Sequence, residues 1–396
     1  MKIIGLEDTE EINRKLNKKK LIITIIISTI IVALIIASAV YIAHKPFRDF
    51  VDFKIFRKIV TENNLTSITI DENQNNIYAY DKYIAILKNN KLIHYNSTGK
   101  EENILDIEIS NPITDINNRF LLIGEKDQKR LYLVSSGNKV WEKEIEGNLT
   151  RVCVNKNGYS AVIISGTTYK SVIQVFDYNG NQIFKTYLSN STAMDVDISY
   201  DNKFMSFAEL STNGTAISSK IKTISIEKAK ENPSESIVNV YDSKSNSLIL
   251  NIKYQDQNKL VCMYDNGINV IHNGKDEQIL NLQEKDVKNN FADIELTNYI
   301  VRVIDKSSFL NSENTVEIVN TNNSHNINIY LLDEVVKNMY CNSSKIALNL
   351  GSEVHFIGTN GWLIKKYTSS QEIKDIVICD NFAGIVYRNK IEIVNL

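Results

Sequence analysis

The chain has 396 residues, 43% of them hydrophobic, and a formal net charge of -2 at neutral pH. That length holds two or three ordinary domains or one large repetitive one. With 45 Lys and Arg against 47 Asp and Glu, the charge balance gives no electrostatic case for nucleic acid as a partner.

Residues 1–20 end in the basic run KLNKKK and read as a cytoplasmic tail. Leu21–Ala43 follows without a single charge. At about 1.5 Å per residue it is long enough for a hydrocarbon core of about 30 Å, and Tyr41 falls where an interfacial aromatic belongs. Two readings stand. Ala37-Ser38-Ala39 fits a signal-peptide cleavage pattern, but the apolar run exceeds the roughly 7–15 residues of a signal core, which favours an uncleaved anchor. Lys2, Arg14, Lys15, Lys18, Lys19 and Lys20 precede it; Lys45, Arg48, Lys54, Arg57 and Lys58 follow. The compact basic run abutting the helix places the N-terminus inside and the bulk of the chain outside the cytoplasm, with the inverted topology as alternative.

Residues 44–64 form a juxtamembrane segment. Within Pro46–Val60, Phe47, Phe50, Val51, Phe53, Phe56, Ile59 and Val60 interleave with charges at helical spacing. This suits either a stalk lying along the headgroups or an amphipathic helix packed on the outer domain.

From residue 65 to 396 the pattern is all-β: short runs of Ile, Val, Tyr and Phe between Asn, Asp, Gly and Ser clusters. A unit of about 40 residues recurs. YIAILKNNKLIHYNSTGK from Tyr83, FLLIGEKDQKRLYLVSSGNKVW from Phe120 and KIALNLGSEVHFIGTNGWLI from Lys345 each place strand, polar turn, strand and Gly turn. Another strand lies upstream of most such pairs. Inner strands start near Asn76, Pro112, Leu149, Ala193, Asn251, Asn290, Val335 and Glu372, which predicts an eight-bladed β-propeller. Seven blades is the alternative, since the inner strand NIKYQDQN crowds the outer strand before it. The eighth unit has three strands, EIKDIVICDN, FAGIVYRN and KIEIVNL, and no outer one. LTSITID, Leu65–Asp71, is left over, and pairing it with Ile391–Asn395 closes the ring and removes both edges.

VSSGNKVW, Val134–Trp141, and VFDYNGNQIF, Val175–Phe184, resemble the degenerate turn-Gly-x-x-x-aromatic signature of PQQ-like and quinoprotein-like propellers. The whole arrangement of basic N-terminus, spanning helix, Phe-rich stalk and eight repeats resembles a family of uncharacterised single-pass membrane proteins of low-GC Gram-positive bacteria. The resemblance implies fold and location, and no activity comes with it.

A quinone cofactor needs a vicinal disulfide and an aromatic platform. Cys153, Cys262, Cys341 and Cys379 are scattered, and Trp141 and Trp362 fall at outer-strand positions where packing between blades is expected. Cys341 and Cys379 occupy similar places on consecutive inner strands; a disulfide across them and free buried thiols are the two readings, and inner-strand spacing favours free thiols. His94, His272 and His355 each sit in a third strand, and His44 and His325 stand apart, so no metal-ligand spacing arises. The acid-rich stretches DENQNN at Asp71 and Asp195-Val196-Asp197 read as turns able to take calcium, without EF-hand spacing. No catalytic motif is present, so neither an enzyme nor a cofactor is expected.

The fourth unit is longer than the others. Ser211–Ser236 separates FMSFAEL from IVNVYDS and reads as an insertion between second and third strands, with a short helix before Pro233. On that reading it projects from the face bearing the inter-blade links, opposite the side where the closing strand enters. Lys220, Lys222, Glu227, Lys228 and Lys230 are its candidate binding residues, for a protein or cell-wall partner. The expectation is a membrane-anchored extracytoplasmic interaction scaffold; the alternative is an enzyme or binding protein acting on an envelope glycan at the propeller channel. Convergent acids at the axis favour the alternative, and a channel lined by Ile, Val and Ser favours the scaffold.

Overall fold

The computed structural model describes residues 18–56, 58–61, 65–72, 74–212, 217–243, 247–284, 288–305, 314–342 and 344–396. The chain divides into two compact units between Ile59 and Val60.

In the first unit, the helix Lys18–Ala43 follows from an uninterrupted apolar run. Among the described residues Leu21–Ala43 is the one segment long and apolar enough to cross a membrane. Residues 1–17 of the expected tail lie outside the described residues. A second helix, Lys45–Phe50, starts where His44 Nδ1 accepts the Phe47 amide at 3.3 Å and passes into a π-helical turn at Val51–Ile55. Tyr41 donates to buried Asp52 at 2.7 Å, and Lys58 Nζ lies 3.0 Å from the same carboxylate. Helical structure therefore covers only the first part of the expected Pro46–Val60 segment, leaving Phe50, Ile55 and Phe56 exposed.

The second unit is an eight-bladed β-propeller. Its eight antiparallel sheets span 77–106, 112–144, 148–188, 192–242, 249–281, 288–332, 338–368 and 375–395, blades 1 to 8. Seven sheets have four strands. Blade 7 has five, the extra one being the short Ile59–Thr61 where this unit begins. A separate sheet at 249–281 excludes the seven-bladed alternative.

Second strands such as Phe120–Glu125 and Ser160–Ser165 are buried on both faces, because each blade is covered by two neighbours. The apolar core falls into eight clusters, each shared by two successive blades. Leu121 and Tyr80 join blades 1 and 2, Phe184 and Phe207 blades 3 and 4, and the last cluster unites Ile84 of blade 1 with Phe382 of blade 8.

Closure occurs where the sequence predicts it. Ser67–Thr69 is the outer strand of blade 8, with Ser67 opposite Glu392, Ile68 opposite Ile391 and Thr69 opposite Lys390. Bonds of 3.0 Å from the Ile70 amide to Asn389 O and 2.9 Å from the Ile393 amide to Thr66 O extend the ladder.

Strand direction alternates within each blade, so the ring has two chemically distinct faces. The first–second and third–fourth turns leave one, here the hairpin face; the inter-blade links and second–third turns leave the other, the link face. As an outer strand, Ser67–Thr69 runs from the hairpin face.

Blade 4 departs from the expected layout. Most of Ser211–Ser236 is not an insertion between second and third strands: Ser218–Ser225 is itself the third strand, and Ile237–Asp242 is the outer one. The helix Ile226–Glu231 lies between third and outer strands and so belongs to the hairpin face. Ser225 caps it, and Ile226 and Ala229 are buried against blade 3.

Candidate functional site

The inner strand of every blade is a sheet edge, with one row of amides and carbonyls unpaired by its own sheet. Side chains of the preceding blade take several of them. Asp115 of blade 2 accepts the Val154 amide of blade 3 at 2.7 Å. Asp195 and Asp197 of blade 4 accept the Ile252 and Tyr254 amides of blade 5 at 2.8 and 2.6 Å. Carbonyls are met in the same way: Asn155 donates to Ser199 O at 3.0 Å, Gln255 to Ile294 O at 3.1 Å, and Asn342 to Ile378 O. Asp195-Val196-Asp197 is thus not a turn open to calcium. It lies within the inner strand Thr192–Ile198, where Arg151 holds Asp195 at 2.7 Å and the Cys153 thiol donates to Asp197 at 3.0 Å.

On the hairpin side the inner strands surround a cavity of 530 Å³. Asp115, Lys253, Asp293 and Glu295 line it together with Tyr78, Tyr200 and Tyr340. Lys253 Nζ stands 2.9 Å from Glu295. Burial alone would lower the Lys253 pKa, but Glu295, Asp115 and Asp197 together hold it well above the ordinary lysine value. Burial pushes Asp197 up to about 6. Asp293 also rises to about 6, through burial and then through the charge of Glu295. Asp293 has its own donors, the Glu295 amide at 2.8 Å and the Cys341 thiol. The axis therefore carries a mixed charged cluster whose carboxylates are each engaged by protein groups.

The five residues singled out from sequence are not brought together. Lys220 pairs with Asp242 at 2.8 Å and Lys222 with buried Glu209 at 2.7 Å, both inside blade 4. Glu227, Lys228 and Lys230 are exposed on the short helix at the hairpin face, the opposite side from the one expected. Trp141 packs between blades as predicted, tilted against Phe176 with its indole donating to Tyr178 O at 3.1 Å. Trp362 does not: it sits in the turn before the outer strand of blade 7 and is 50% exposed. All four cysteines are free thiols; Cys341 faces Asp293, and Cys379 donates to Tyr83 O at 3.3 Å. His94 and His355 meet Tyr80 and Tyr330 respectively, while His272 is exposed at a strand end.

Sequence reading missed the axial set. The signal was there, ionisable residues among the apolar ones of inner strands: Asp115 in ITDINN, Asp195 and Asp197 in MDVDIS, Lys253 in NIKYQD, and Asp293 and Glu295 in FADIEL.

No curated protein matches the chain in sequence. Solved structures match the fold. The C-terminal WD40 domain of Sif2 aligns with a TM-score of 0.56 at 12% identity, covering 84% of this chain and 99% of that one. A eukaryotic initiation factor aligns at 0.53 and 11% identity, covering 84% and 94%. BamB from Moraxella catarrhalis aligns at 0.50 and 12% identity, covering 84% and 99%. At such identities the likeness is one of fold alone. In sequence, residues 55–396 match the profile of a family of unknown function, DUF5711, and the chain belongs to that family.

Proposed function

We propose that this protein is a membrane-anchored propeller of the cell envelope, with its N-terminus cytoplasmic and its ring outside, serving as an interaction scaffold with no catalytic step of its own. One observation carries the reading. Inner-strand carboxylates are occupied in joining blades, through Asp115 to Val154, Asp195 to Ile252 and Asp197 to Tyr254. Their effect is a rigid ring whose turns can present contacts with little entropy lost on binding. Exposed Glu227, Lys228 and Lys230 form part of that surface, for a protein or cell-wall partner. The apolar helix Leu21–Ala43 supplies the anchor, and the basic run before it supports the orientation. A second reading, a ligand such as an envelope glycan held at the axis, is favoured by the convergent acids Asp115, Asp293 and Glu295 that line the 530 Å³ cavity.

Two measurements on intact cells test this. A Glu227→Cys variant should react with a membrane-impermeant maleimide before lysis; reaction only after lysis contradicts the orientation. A photo-crosslinker at Lys228 should give a discrete adduct that survives Asp293→Asn with Glu295→Gln. Absence of an adduct, or its loss in the cavity variant, favours the axis instead.

A further inference from the structure

Between blades 4 and 5, on the hairpin face, lies a cavity of 230 Å³ with an unusual lining for so polar a chain. None of its residues is an Asp, Glu, Lys, Arg or His. Half-buried Phe204 and Tyr241 supply aromatic surface, and Asn239, Gln257, Asn258 and Asn273 stand exposed around it. Among the described residues, none of these four amides has a protein partner for its side chain. The hydroxyls deeper in the pocket are already engaged: Tyr254 and Thr223 both bond Ser206, at 2.7 and 2.8 Å.

The rim is held by local backbone geometry. Asn273 and Gly274 have φ of +50° and +77°, the paired left-handed conformation of a two-residue hairpin turn. Nothing lies within 4 Å of the position a Gly274 Cβ would take, so the mouth is open there. The backbone N–H of Asn258 donates to Asp256 Oδ1 at 2.7 Å, which fixes the turn.

We infer that this pocket binds one ring of a neutral saccharide. A pyranose has an apolar C–H face and an equator of hydroxyls, each both donor and acceptor. Tyr241 and Phe204 offer the aromatic surface that such a face covers. Carboxamides carry donor and acceptor side by side and match neighbouring hydroxyls in pairs. The absence of ionised lining groups leaves a charged ligand without a counter-ion while costing a neutral one nothing. The volume lies below the roughly 300 Å³ at which drug-sized sites begin, which fits a single ring rather than an oligomer. The inference stands apart from the scaffold reading, because the pocket involves neither the axis nor the helix Ile226–Glu231.

The test uses the full-length chain in lauryldimethylamine oxide micelles, a detergent without a sugar headgroup. Glucose, galactose and N-acetylglucosamine, with glucuronate and glucosamine as charged counterparts, are titrated by saturation-transfer difference NMR. At least one neutral sugar should bind with a Kd on the order of 1 mM, the affinity a single small ring carries. Tyr241→Ala should weaken it by about tenfold, while Tyr241→Phe, which keeps the ring and the fold, should stay within about threefold. Gln257→Ala, at an exposed position, should weaken it by roughly threefold. The inference is overturned if no neutral sugar binds, if Tyr241→Ala binds as the parent does, or if glucuronate or glucosamine binds as tightly as its neutral counterpart.

Discussion

Asp197 illustrates how a single side chain serves the ring. Its carboxylate takes the Tyr254 amide of blade 5 with one oxygen and the Cys153 thiol of blade 3 with the other, so it spans three blades from the middle one. Burial raises its pKa to about 6, against an unfolded value near about 4. Between those values the native state holds the proton more tightly than the unfolded chain does. The resulting stability is fully present below the unfolded pKa and is lost as pH rises through about 6. We expect the thermal stability of the parent, measured relative to Asp197→Asn, to be greater at pH 5 than at pH 7.5, by about 1–2 kcal/mol. A difference that is flat or reversed between the two pH values would show that the carboxyl is not held as described. Calorimetry on both proteins reads this directly.

At the scale of elements, the closing strand is short, yet it completes the apolar cluster between blades 8 and 1. Ile68 is 4% exposed and packs in the group that contains Ile84, Phe382 and Ile391. Ile68→Ala should destabilise the ring by about 2–4 kcal/mol, checked by denaturant unfolding, whereas a strand merely resting on the surface would lose under about 0.5 kcal/mol. Beside it, buried Glu392 accepts the Tyr367 hydroxyl of blade 7 and lies against Lys390, so the strand that receives the closure is itself tied to its neighbour. Which elements were readable in sequence follows from their surroundings. Second strands were, because burial on both faces makes them continuous apolar runs. The third strand of blade 4 was not. Ser218, Lys220 and Lys222 alternate with Ser219, Ile221 and Thr223, and only the second set is buried. A polar outer face and serines on both sides disguised the period of two. The helix after it was legible, since Ser225 and Pro233 bracket it. Its face was not, because the face depends on counting strands correctly. Asp195 and Asp197 read as a turn in sequence for a related reason: an acid ordinarily marks an exposed position, and these two are buried by a neighbouring blade distant in sequence.

For the molecule as a whole, stability and function rest on the ring being continuous. Eight clusters between successive blades leave each blade dependent on two neighbours, and the cluster between blades 8 and 1 depends on residues near 68 meeting residues near 391. A propeller open at that place would expose the edge Lys390–Asn395 and invite pairing with other chains. The flanking bonds from Ile70 to Asn389 and from Ile393 to Thr66 make Thr69 and Lys390 a non-hydrogen-bonded pair, whose Cα atoms approach to about 4.5 Å, within disulfide range. The most direct test is therefore the Thr69→Cys, Lys390→Cys double variant of the full-length chain under mild oxidation. The closed ring predicts a native intramolecular crosslink, seen as a reductant-sensitive mobility shift, with stability raised by about 2–4 kcal/mol. A folded variant that forms no crosslink, or one that crosslinks only after denaturation, would contradict closure of the ring at this seam.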